Sequence, residues 1–574
     1  MIKKFLYFFN RHQKRSLLIL FNFMFISTIL EMVGLGFIFS IVGALTPTST
    51  TNNLFINKLS AFLELDKTEI FSYLLLIFLF FYIIKIIFLT FYNWFEGNFI
   101  WSYNESLSSK VFNEYLNQDF SYFYNRNSSE FIRNLITEVD HFNAYLLAIL
   151  KLTLEVVVIF GIFCFLLYIN LYFAISIAAI FLFFFYLYFF LLKGKLNAWG
   201  VQRQTNIQKK IQFMQEGFDG IKVIKLLGRE NFFFNKFKIR NINLSKIAII
   251  VYFFQGMPRL LVELVGIFFV IFSLSILYYS GKSLFEITQI LSIYVAASFR
   301  VLPSINKVVQ SVQIIKLNYP AMNVLYHELK SFKKESKPLH EKFSFNDKIF
   351  VDIKNFKYPN SNNFEISNIK LEVLKGQKIG IIGASASGKS TIIEILTGIL
   401  KPTKGDVTVD GQSIFSNRIG WQKLIGFIPQ KIFILDESLR NNILFGLDKE
   451  RYTDDQIITL IKKLSLEKLL KRLPNGLDGN VGEEGINLSG GEIQRIGLCR
   501  ALIYNPEVLF LDEATSSLDT KTEAQILDEL KVFKEQTVIS IAHRINTLKN
   551  CDKIYRIDNG ALIDSGNFEK FNKL

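Results

Sequence analysis

Cysteine is scarce in this sequence, since Cys164, Cys499 and Cys551 are the three found in 574 residues. Their spacing fits no metal-ligand motif and gives no disulfide framework, so we expect packed or incidental thiols. The N-terminus lacks a short apolar stretch followed by a small-residue cleavage site. Its first apolar run is too long for a cleaved signal peptide, and it should therefore stay in the mature protein.

Acidic residues are outnumbered by basic ones, which gives a formal net charge of +15. A basic balance can indicate nucleic-acid binding, but that usually appears as a patch on a soluble fold. Here the cations crowd the ends of apolar runs, before the first and after the fourth: Lys3, Lys4, Arg11, Lys14, Arg15, Lys193, Lys195, Arg203, Lys209 and Lys210. This is the positive-inside pattern of membrane proteins, so we expect the lipid bilayer as a partner and no nucleic acid.

Long apolar runs dominate the first part of the chain. About 20 apolar residues cross a bilayer as a helix, and six stretches qualify: 17–45, 70–95, 145–169, 172–192, 247–279 and the more polar 285–302. The connections 96–142 and 193–246 are long, charged and mostly free of Pro and Gly, which predicts helical hairpins on the cytoplasmic side. We therefore predict an all-α transmembrane domain of six helices over residues 1–330.

A polar stretch at 331–344 carries Pro338 and no apolar period, and we interpret it as a linker. Residues 345–574 have the composition of an ordinary globular domain, for which we predict an α/β fold. Residues 349–358 alternate like a strand. The charge pattern puts this second domain in the cytoplasm.

A phosphate-binding pattern follows the predicted strand 378–382, and a helix is predicted over 391–400. The pattern is the P-loop in its strand–loop–helix context, and it consists of Gly383, Ala384, Ser385, Ala386, Ser387, Gly388, Lys389 and Ser390, followed by Thr391. Backbone N–H groups of such a loop point at phosphate oxygens. Lys389 supplies charge at the β- and γ-phosphates, and the Ser390 hydroxyl ligates Mg²⁺.

A buried strand is predicted at 508–511, and Asp512 and Glu513 follow it. The first carboxylate can hold Mg²⁺, and the second can orient and polarise the attacking water. Two acids after an apolar run are a weak signal alone. After a P-loop at this distance they indicate ATP hydrolysis.

The run 488–492, Leu-Ser-Gly-Gly-Glu, followed by Gln494 and Arg495, resembles the signature motif of ABC ATPases. The resemblance implies that Tyr358 stacks on adenine and that Gln430 touches both Mg²⁺ and the transport domain. It also implies a partner-crossing loop at 517–519 and a γ-phosphate switch at His543. It thus assigns catalysis to Glu513, His543 and Gln430, Mg²⁺ ligation to Ser390, Gln430 and Asp512, and further nucleotide contacts to Ser489, Gly490 and Gly491.

The six predicted spans with one ATPase domain resemble an exporter-type ABC half-transporter. In that family two ATPase domains enclose two ATP molecules, and each P-loop faces the partner's signature motif, so a homodimer is expected. Two residues depart from the family pattern: Ala386 stands where glycine is common, and Glu492 replaces glutamine. An ATP-binding regulator without turnover is the alternative of another class, and the presence of Glu513 and His543 argues against it.

Four cations lie in or at the ends of apolar spans: Lys85, Arg259, Arg300 and Lys307. Charge inside a membrane is costly and tends to face a cavity or a partner. These cations could line a cavity for an anionic head group, snorkel to the interface, or pair with Glu31 or Glu263.

The segments 257–259 and 299–304 resemble bacterial flippases of polysaccharides and lipid-linked oligosaccharides, which act in the inner membrane. Residues 53–65 could form an amphipathic helix that holds a polyprenyl tail, or a plain loop. The alternative cargos are lipid A or phospholipid, peptides, and drugs. About 15 residues precede the first span, which disfavours a peptidase-bearing peptide exporter.

Overall fold

The computed structural model describes residues 2–44, 67–124, 126–169, 171–279, 284–332, 343–358, 364–482, 485–486, 488–513, 536–542 and 545–572. Within the helices some side chains, including those of 284–300, are left undescribed. The chain divides into two compact units. The first is Met1–Gln118 with Arg126–Lys333, and the second is Asp119–Asn125 with Lys334–Leu574. The break after Lys333 falls within the predicted linker, whereas the assignment of 119–125 to the second unit was not predicted.

The described part of the first unit is helical. Its α-helices are Ile2–Tyr7, Arg11–Ala44, Lys67–Leu116, Ser128–Arg133, Val139–Ile169, Leu171–Leu191, Lys195–Asp219, Ile221–Leu227, Glu230–Tyr279 and Leu284–Ser331. A π-helical turn, Asn134–Glu138, joins two of them. Each of the two predicted hairpins therefore includes one helix of 50 residues, which is far longer than a membrane span needs.

Four described helices are long and apolar enough to cross a membrane: Arg11–Gly34, Ser72–Leu116, Ser128–Leu167 and Glu230–Phe268. A fifth is counted if the bent pair Phe181–Leu191 and Lys195–Asp219 is one span. The sixth predicted span, 285–302, lies almost wholly where side chains are not described. The count of six stays a prediction, and so does the amphipathic segment 53–65, which is outside the described residues.

Pro258 lies inside the helix Glu230–Tyr279. Proline has no N–H, so the carbonyl of Phe254 loses its partner in the helix. The Tyr188 hydroxyl donates to this carbonyl at 2.7 Å, and Gln313 Nε2 donates to it at 2.8 Å. An unpaired carbonyl is costly in an apolar environment, and these two hydrogen bonds satisfy it while linking three helices near Pro258.

The second unit contains two sheets. The described strands are β1 Lys348–Lys357, β2 Glu365–Leu374, β3 Lys378–Ile382, β4 Lys404–Val409, β5 Gln412–Ser413, β6 Ile425–Ile428, β7 Val508–Asp512, β8 Thr537–Ile541, β9 Lys553–Asp558 and β10 Ala561–Gly566. One sheet has the order β2-β1-β4-β5 and is antiparallel. The other has the order β10-β9-β3-β8-β7-β6, and its strands from β9 to β6 are parallel.

The described α-helices of the second unit are Ser121–Tyr124, Lys389–Leu396, Arg418–Gln422, Leu439–Leu444, Asp454–Lys463, Glu467–Arg472, Gly490–Leu502 and Phe568–Asn572. Short 3₁₀ turns are Lys449–Arg451, Gly476–Asp478 and Ile545–Leu548. This α/β architecture confirms the fold class predicted for the domain.

The two sheets differ in their pattern of buried residues, as their sequence patterns predict. In β1 buried and exposed positions largely alternate, as expected for a sheet covered on one face. In β3 and β7 four consecutive residues are buried, which is typical of parallel strands covered on both faces. Since the strands β3, β6 and β7 are parallel, the residues that follow each of them meet at one edge of the sheet.

Candidate functional site

The loop after β3 has the close packing that a P-loop requires. A Cβ on Gly383 would lie 2.1 Å from the carbonyl oxygen of Ile557, so only glycine fits there. Gly388 has a φ of +102° and precedes the helix Lys389–Leu396 without any side-chain cap. The uncapped N–H groups at this helix end can therefore donate hydrogen bonds to an anion. The helix begins two residues earlier than predicted and ends at Leu396, because Gly398, with a φ of +74°, cannot continue it.

The middle of the loop departs from an unstrained conformation. Ala386 has a φ of +63°, a region that costs an L-residue with a Cβ about 1–2 kcal/mol. Alanine is therefore strained at the position where glycine is common in the family that the sequence resembles. Next to it, the hydroxyl of Ser387 is buried and has no hydrogen-bond partner within the described structure. A phosphate oxygen would supply one, so the loop fits a nucleotide.

The Lys389 ammonium group donates to the carbonyl oxygens of Gly383 and Ala384 at 3.0 and 2.8 Å. Burial lowers the pKa of Lys389, and the nearby carboxylates of Glu513 and Asp512 oppose that shift. The Lys389 side chain therefore lies over the loop that is predicted to bind the nucleotide phosphates.

Ser390 and Asp512 form the pair suited to Mg²⁺. The Ser390 hydroxyl donates to Asp512 Oδ1 at 3.3 Å. Burial raises the pKa of Asp512, which the carboxylate of Glu513 reinforces. A cation between these two oxygens would relieve that cost, and one hydroxyl with one carboxylate is the usual protein share of a Mg²⁺ site that also binds phosphates.

Glu513 and Gln430 meet at the same edge of the sheet. Glu513 is buried, with a φ of +50°, directly after β7. Gln430 follows β6, the neighbour of β7. Gln430 Nε2 donates to Glu513 Oε2 at 2.6 Å. The structure thus places two of the predicted catalytic side chains in direct contact.

Tyr358 is half-buried beside the P-loop helix. Its hydroxyl shares a 2.9 Å hydrogen bond with that of Thr391 and donates to Glu394 Oε2 at 3.3 Å. Burial raises the pKa of Glu394. On the ring itself, Tyr124 is stacked at a centroid distance of 4.5 Å and an interplanar angle of 15°.

The signature residues form a helix N-terminus. Ser489 is the N-cap of Gly490–Leu502, and Glu492 completes a capping box with it. Glu492 Oε2 accepts the Ser489 N–H at 2.7 Å and its hydroxyl at 2.9 Å, and Arg472 donates to the same oxygen at 3.1 Å. Because Glu492 stands where the family commonly has glutamine, a carboxylate is hydrogen-bonded to the signature serine, Ser489.

Ser489 and Gly490 are exposed, and within the described residues neither bonds to the P-loop. One chain thus presents the two halves of the predicted nucleotide site apart from each other. His543 and the loop 517–519 lie outside the described residues, so their predicted roles are untested.

Sequence reasoning missed three residues of this region: Glu394, Tyr124 and Arg472. Glu394 lies three positions after Thr391 on one helix, and that spacing could have placed both on the face that meets Tyr358. No local signal marks Tyr124 or Arg472, because their partners are distant in sequence.

The structure places the membrane cations in different surroundings. Lys85 Nζ is 3.0 Å from Glu31 Oε2, and both side chains are nearly buried. Lys307 Nζ is 2.7 Å from Glu155 Oε1. Lys85 thus has the Glu31 partner named as one alternative, and Lys307 has one that was not predicted. Arg259 is exposed, and its side chain makes no ion pair or hydrogen bond within the described residues. The side chain of Arg300 is not described.

Comparison with known proteins agrees with this architecture. The family model for the ABC transporter transmembrane region matches residues 17–300, and the ABC transporter model matches 366–516. A solved structure of a bacterial Atm1-family ABC exporter with ATP bound has a TM-score of 0.79 at 19% identity, and the match covers 98% of this chain and 97% of that one. At this identity the likeness shows the fold alone.

Two curated relatives are similar over shorter stretches. The ATP-dependent lipid A-core flippase of Pasteurella multocida is 37% identical over 221 residues, which is 38% of each chain. ABC transporter B family member 17 of Arabidopsis thaliana is 38% identical over 214 residues, which is 37% of this chain and 17% of that protein. The chain therefore spans less than half the length of these relatives. Both family models and the fold lead to one conclusion: the chain belongs to the ABC transporter family and joins a helical transmembrane region to an ABC ATPase domain.

Proposed function

We propose that this protein hydrolyses ATP to flip a lipid-linked oligosaccharide, or a similar polyprenyl-diphosphate glycan, across the bacterial inner membrane. The proposal has two parts. The first is the chemistry of the ATPase domain, and the second is the nature of the cargo.

Hydrolysis is assigned to Glu513, which would orient and polarise the attacking water while Gln430 fixes its carboxylate. The Lys389 ammonium group would leave the loop carbonyls for the phosphates, and Ser387 would find its missing partner there. Ser390, Asp512 and Gln430 would hold Mg²⁺, which when bound offsets negative charge on the phosphate oxygens. Tyr358 would stack on the adenine base.

A homodimer would complete the site. Ser489 and the backbone N–H groups of Gly490 and Gly491 are exposed on the chain's surface or close to it. A γ-phosphate bound at the partner's P-loop would give them a ligand, so ATP binding would close two ATPase domains and hydrolysis would reopen them.

The cargo proposal depends on one observation, the chemistry of the surface around Arg259. This exposed arginine lies within an exposed, largely apolar part of the helix Glu230–Tyr279. A shallow cavity of about 300 Å³ follows it, lined by Leu260, Glu263, Leu264, Ile267, Phe268 and Ile271. Arginine binds phosphate oxygens with two parallel N–H groups and keeps its charge when partly desolvated. A cation followed by a mostly apolar surface, in which Glu263 is the one charged lining residue, suits an anionic head group with an apolar tail.

The test is flipping of a lipid-linked oligosaccharide by the purified protein in lipid vesicles. Arg259→Ala and Arg300→Ala, singly and together, should reduce flipping sharply while basal ATPase and thermal stability survive. Arg259→Lys should retain part of the flipping, because it keeps the charge but loses the two-pronged geometry.

Lys246→Ala is the matched control, because Lys246 is an exposed cation on the same helix. Flipping by this variant should match that of the unmodified protein. If the double arginine variant still flips the glycan lipid, or if its loss follows unfolding, the cargo proposal is wrong. Flipping of lipid A by the same vesicles would instead favour a lipid A exporter.

A further inference from the structure

The segment Asp119–Asn125 belongs to the ATPase unit, although its neighbours in the chain belong to the helical unit. Asp119 and Tyr124 both contact residues of that unit. Asp119 Oδ1 pairs with Arg418 Nη1 at 2.7 Å. The Tyr124 ring is stacked on Tyr358, the residue predicted to stack on adenine.

The Tyr358 ring has little freedom to turn away from this stack. Its hydroxyl is bonded to Thr391 and Glu394 at one end. Phe356 contacts it edge-on, with centroids 5.0 Å apart and an interplanar angle of 81°. Phe364 approaches the ring at 6.5 Å and 33°. The ring therefore stays beside the P-loop helix and presents a fixed aromatic surface.

A nucleobase and Tyr124 cannot both use that surface in this arrangement. A flat base between two rings needs a centroid separation of about 7 Å, twice the van der Waals distance between carbon atoms. The observed separation is 4.5 Å. A base that stacks on the Tyr358 face now covered by Tyr124 must therefore move Tyr124 away.

We propose that Tyr124 competes with the adenine base for Tyr358, so that ATP binding releases the Tyr124 end of the segment 119–124. This deepens the proposed function, since it depends on Tyr358 as the base-stacking residue. Tyr124 is suited to the exchange because half of its surface is exposed, and its departure opens no core. The Asp119–Arg418 ion pair keeps the other end attached. Tyr124 thus sets ATP affinity and makes the position of this segment depend on nucleotide occupancy.

The experiment measures Mg²⁺–ATP binding to the full-length protein carrying Glu513→Gln, so that hydrolysis does not interfere. Tyr124→Ala should tighten ATP binding by about 2- to 10-fold, the range that an aromatic pair contributes. Tyr124→Phe keeps the ring and should stay within about twofold of the parent. Tyr358→Ala should weaken binding, and adding Tyr124→Ala to it should then have no further effect, because the shared surface is gone.

Inorganic tripolyphosphate is the control ligand, because it has phosphates and no base. Its affinity should not change with Tyr124→Ala if the competition is for stacking. Weaker ATP binding by Tyr124→Ala would mean that the base enters between the two rings, and unchanged binding would mean that the base uses another surface. Either result overturns the competition. If the parent protein binds no ATP, the proposed function itself fails, which is a distinct result.

Discussion

Gln430 Nε2 donates a 2.6 Å hydrogen bond to Glu513 Oε2 across 83 positions of sequence. The two side chains follow adjacent parallel strands, β6 and β7. The bond fixes the carboxylate that is proposed to polarise water, and it uses the glutamine that is proposed to contact Mg²⁺. The residue proposed to polarise water is thus hydrogen-bonded to the residue proposed to contact Mg²⁺. The orientation of the Glu513 carboxylate should therefore depend on Gln430.

Glu513→Gln should abolish water polarisation and leave ATP binding intact. We expect turnover to fall at least ~10²-fold, the scale of one acid–base group, while ATP is retained. Phosphate release and bound nucleotide are measured on the same sample. Glu507→Gln is the control, because Glu507 lies at the opposite end of β7 and pairs with Lys375. Near-normal phosphate release by Glu513→Gln would contradict the assignment.

Mixed dimers should show that each site is shared between two chains. With Lys389→Ala on one chain and Ser489→Arg on the other, one composite site carries both changes and the other stays intact. With both changes on one chain, each composite site carries one. We therefore expect higher ATPase activity from the opposite-chain arrangement. The reverse order of activities would show that sites form within one chain.

Ala386→Gly should relieve strain in the P-loop. Glycine adopts positive φ freely, whereas alanine at +63° costs about 1–2 kcal/mol. Ala384→Gly, two positions earlier and without a positive φ, gains no such relief and only adds entropy to the unfolded chain. The thermal midpoint of Ala386→Gly should therefore lie above that of Ala384→Gly. An equal or lower midpoint would show that Ala386 is not strained.

Glu492→Gln should increase the apparent ATP affinity. In the proposed dimer Ser489 approaches the partner's γ-phosphate, and the Glu492 carboxylate on that serine repels it. Arg472 offsets part of this charge. We expect KM for ATP to fall a few-fold, and more at low salt because screening weakens exposed charge interactions. Glu467→Gln, which neutralises an exposed carboxylate on the helix of Arg472, should leave KM unchanged.

The same glutamate gives a pH dependence. Burial raises the pKa of Glu492, but hydrogen bonds from Ser489 and Arg472 outweigh it and bring the pKa below its ordinary value of 4.5. A depressed pKa means that the stabilisation is present above pH 4.5 and is lost as the pH falls through the folded-state value. The difference in thermal midpoint between the unmodified protein and Glu492→Gln should be constant near neutral pH and shrink below pH 4.5. A constant difference at all pH values would contradict this.

The local motifs could be predicted from sequence because their geometry is local. The strand Lys378–Ile382 and the glycines around the P-loop follow from an apolar run and from a turn that admits no Cβ at Gly383. The strand Val508–Asp512 and the capping position of Ser489 follow from equally short patterns. Each depends on neighbouring residues and on backbone sterics that act over a few positions.

The partnerships between remote residues were decided by the tertiary structure. Lys85 could have paired with any nearby carboxylate, and packing of two helices placed Glu31 beside it, where burial makes an unpaired charge costly. The strand order placed Gln430 next to Glu513. Packing of the segment 119–125 within the ATPase unit placed the Tyr124 ring on Tyr358. Sequence by itself determined which groups are proposed to bind a nucleotide. The tertiary structure decided which of them touch, because a contact between distant residues depends on how whole elements pack and not on any local preference.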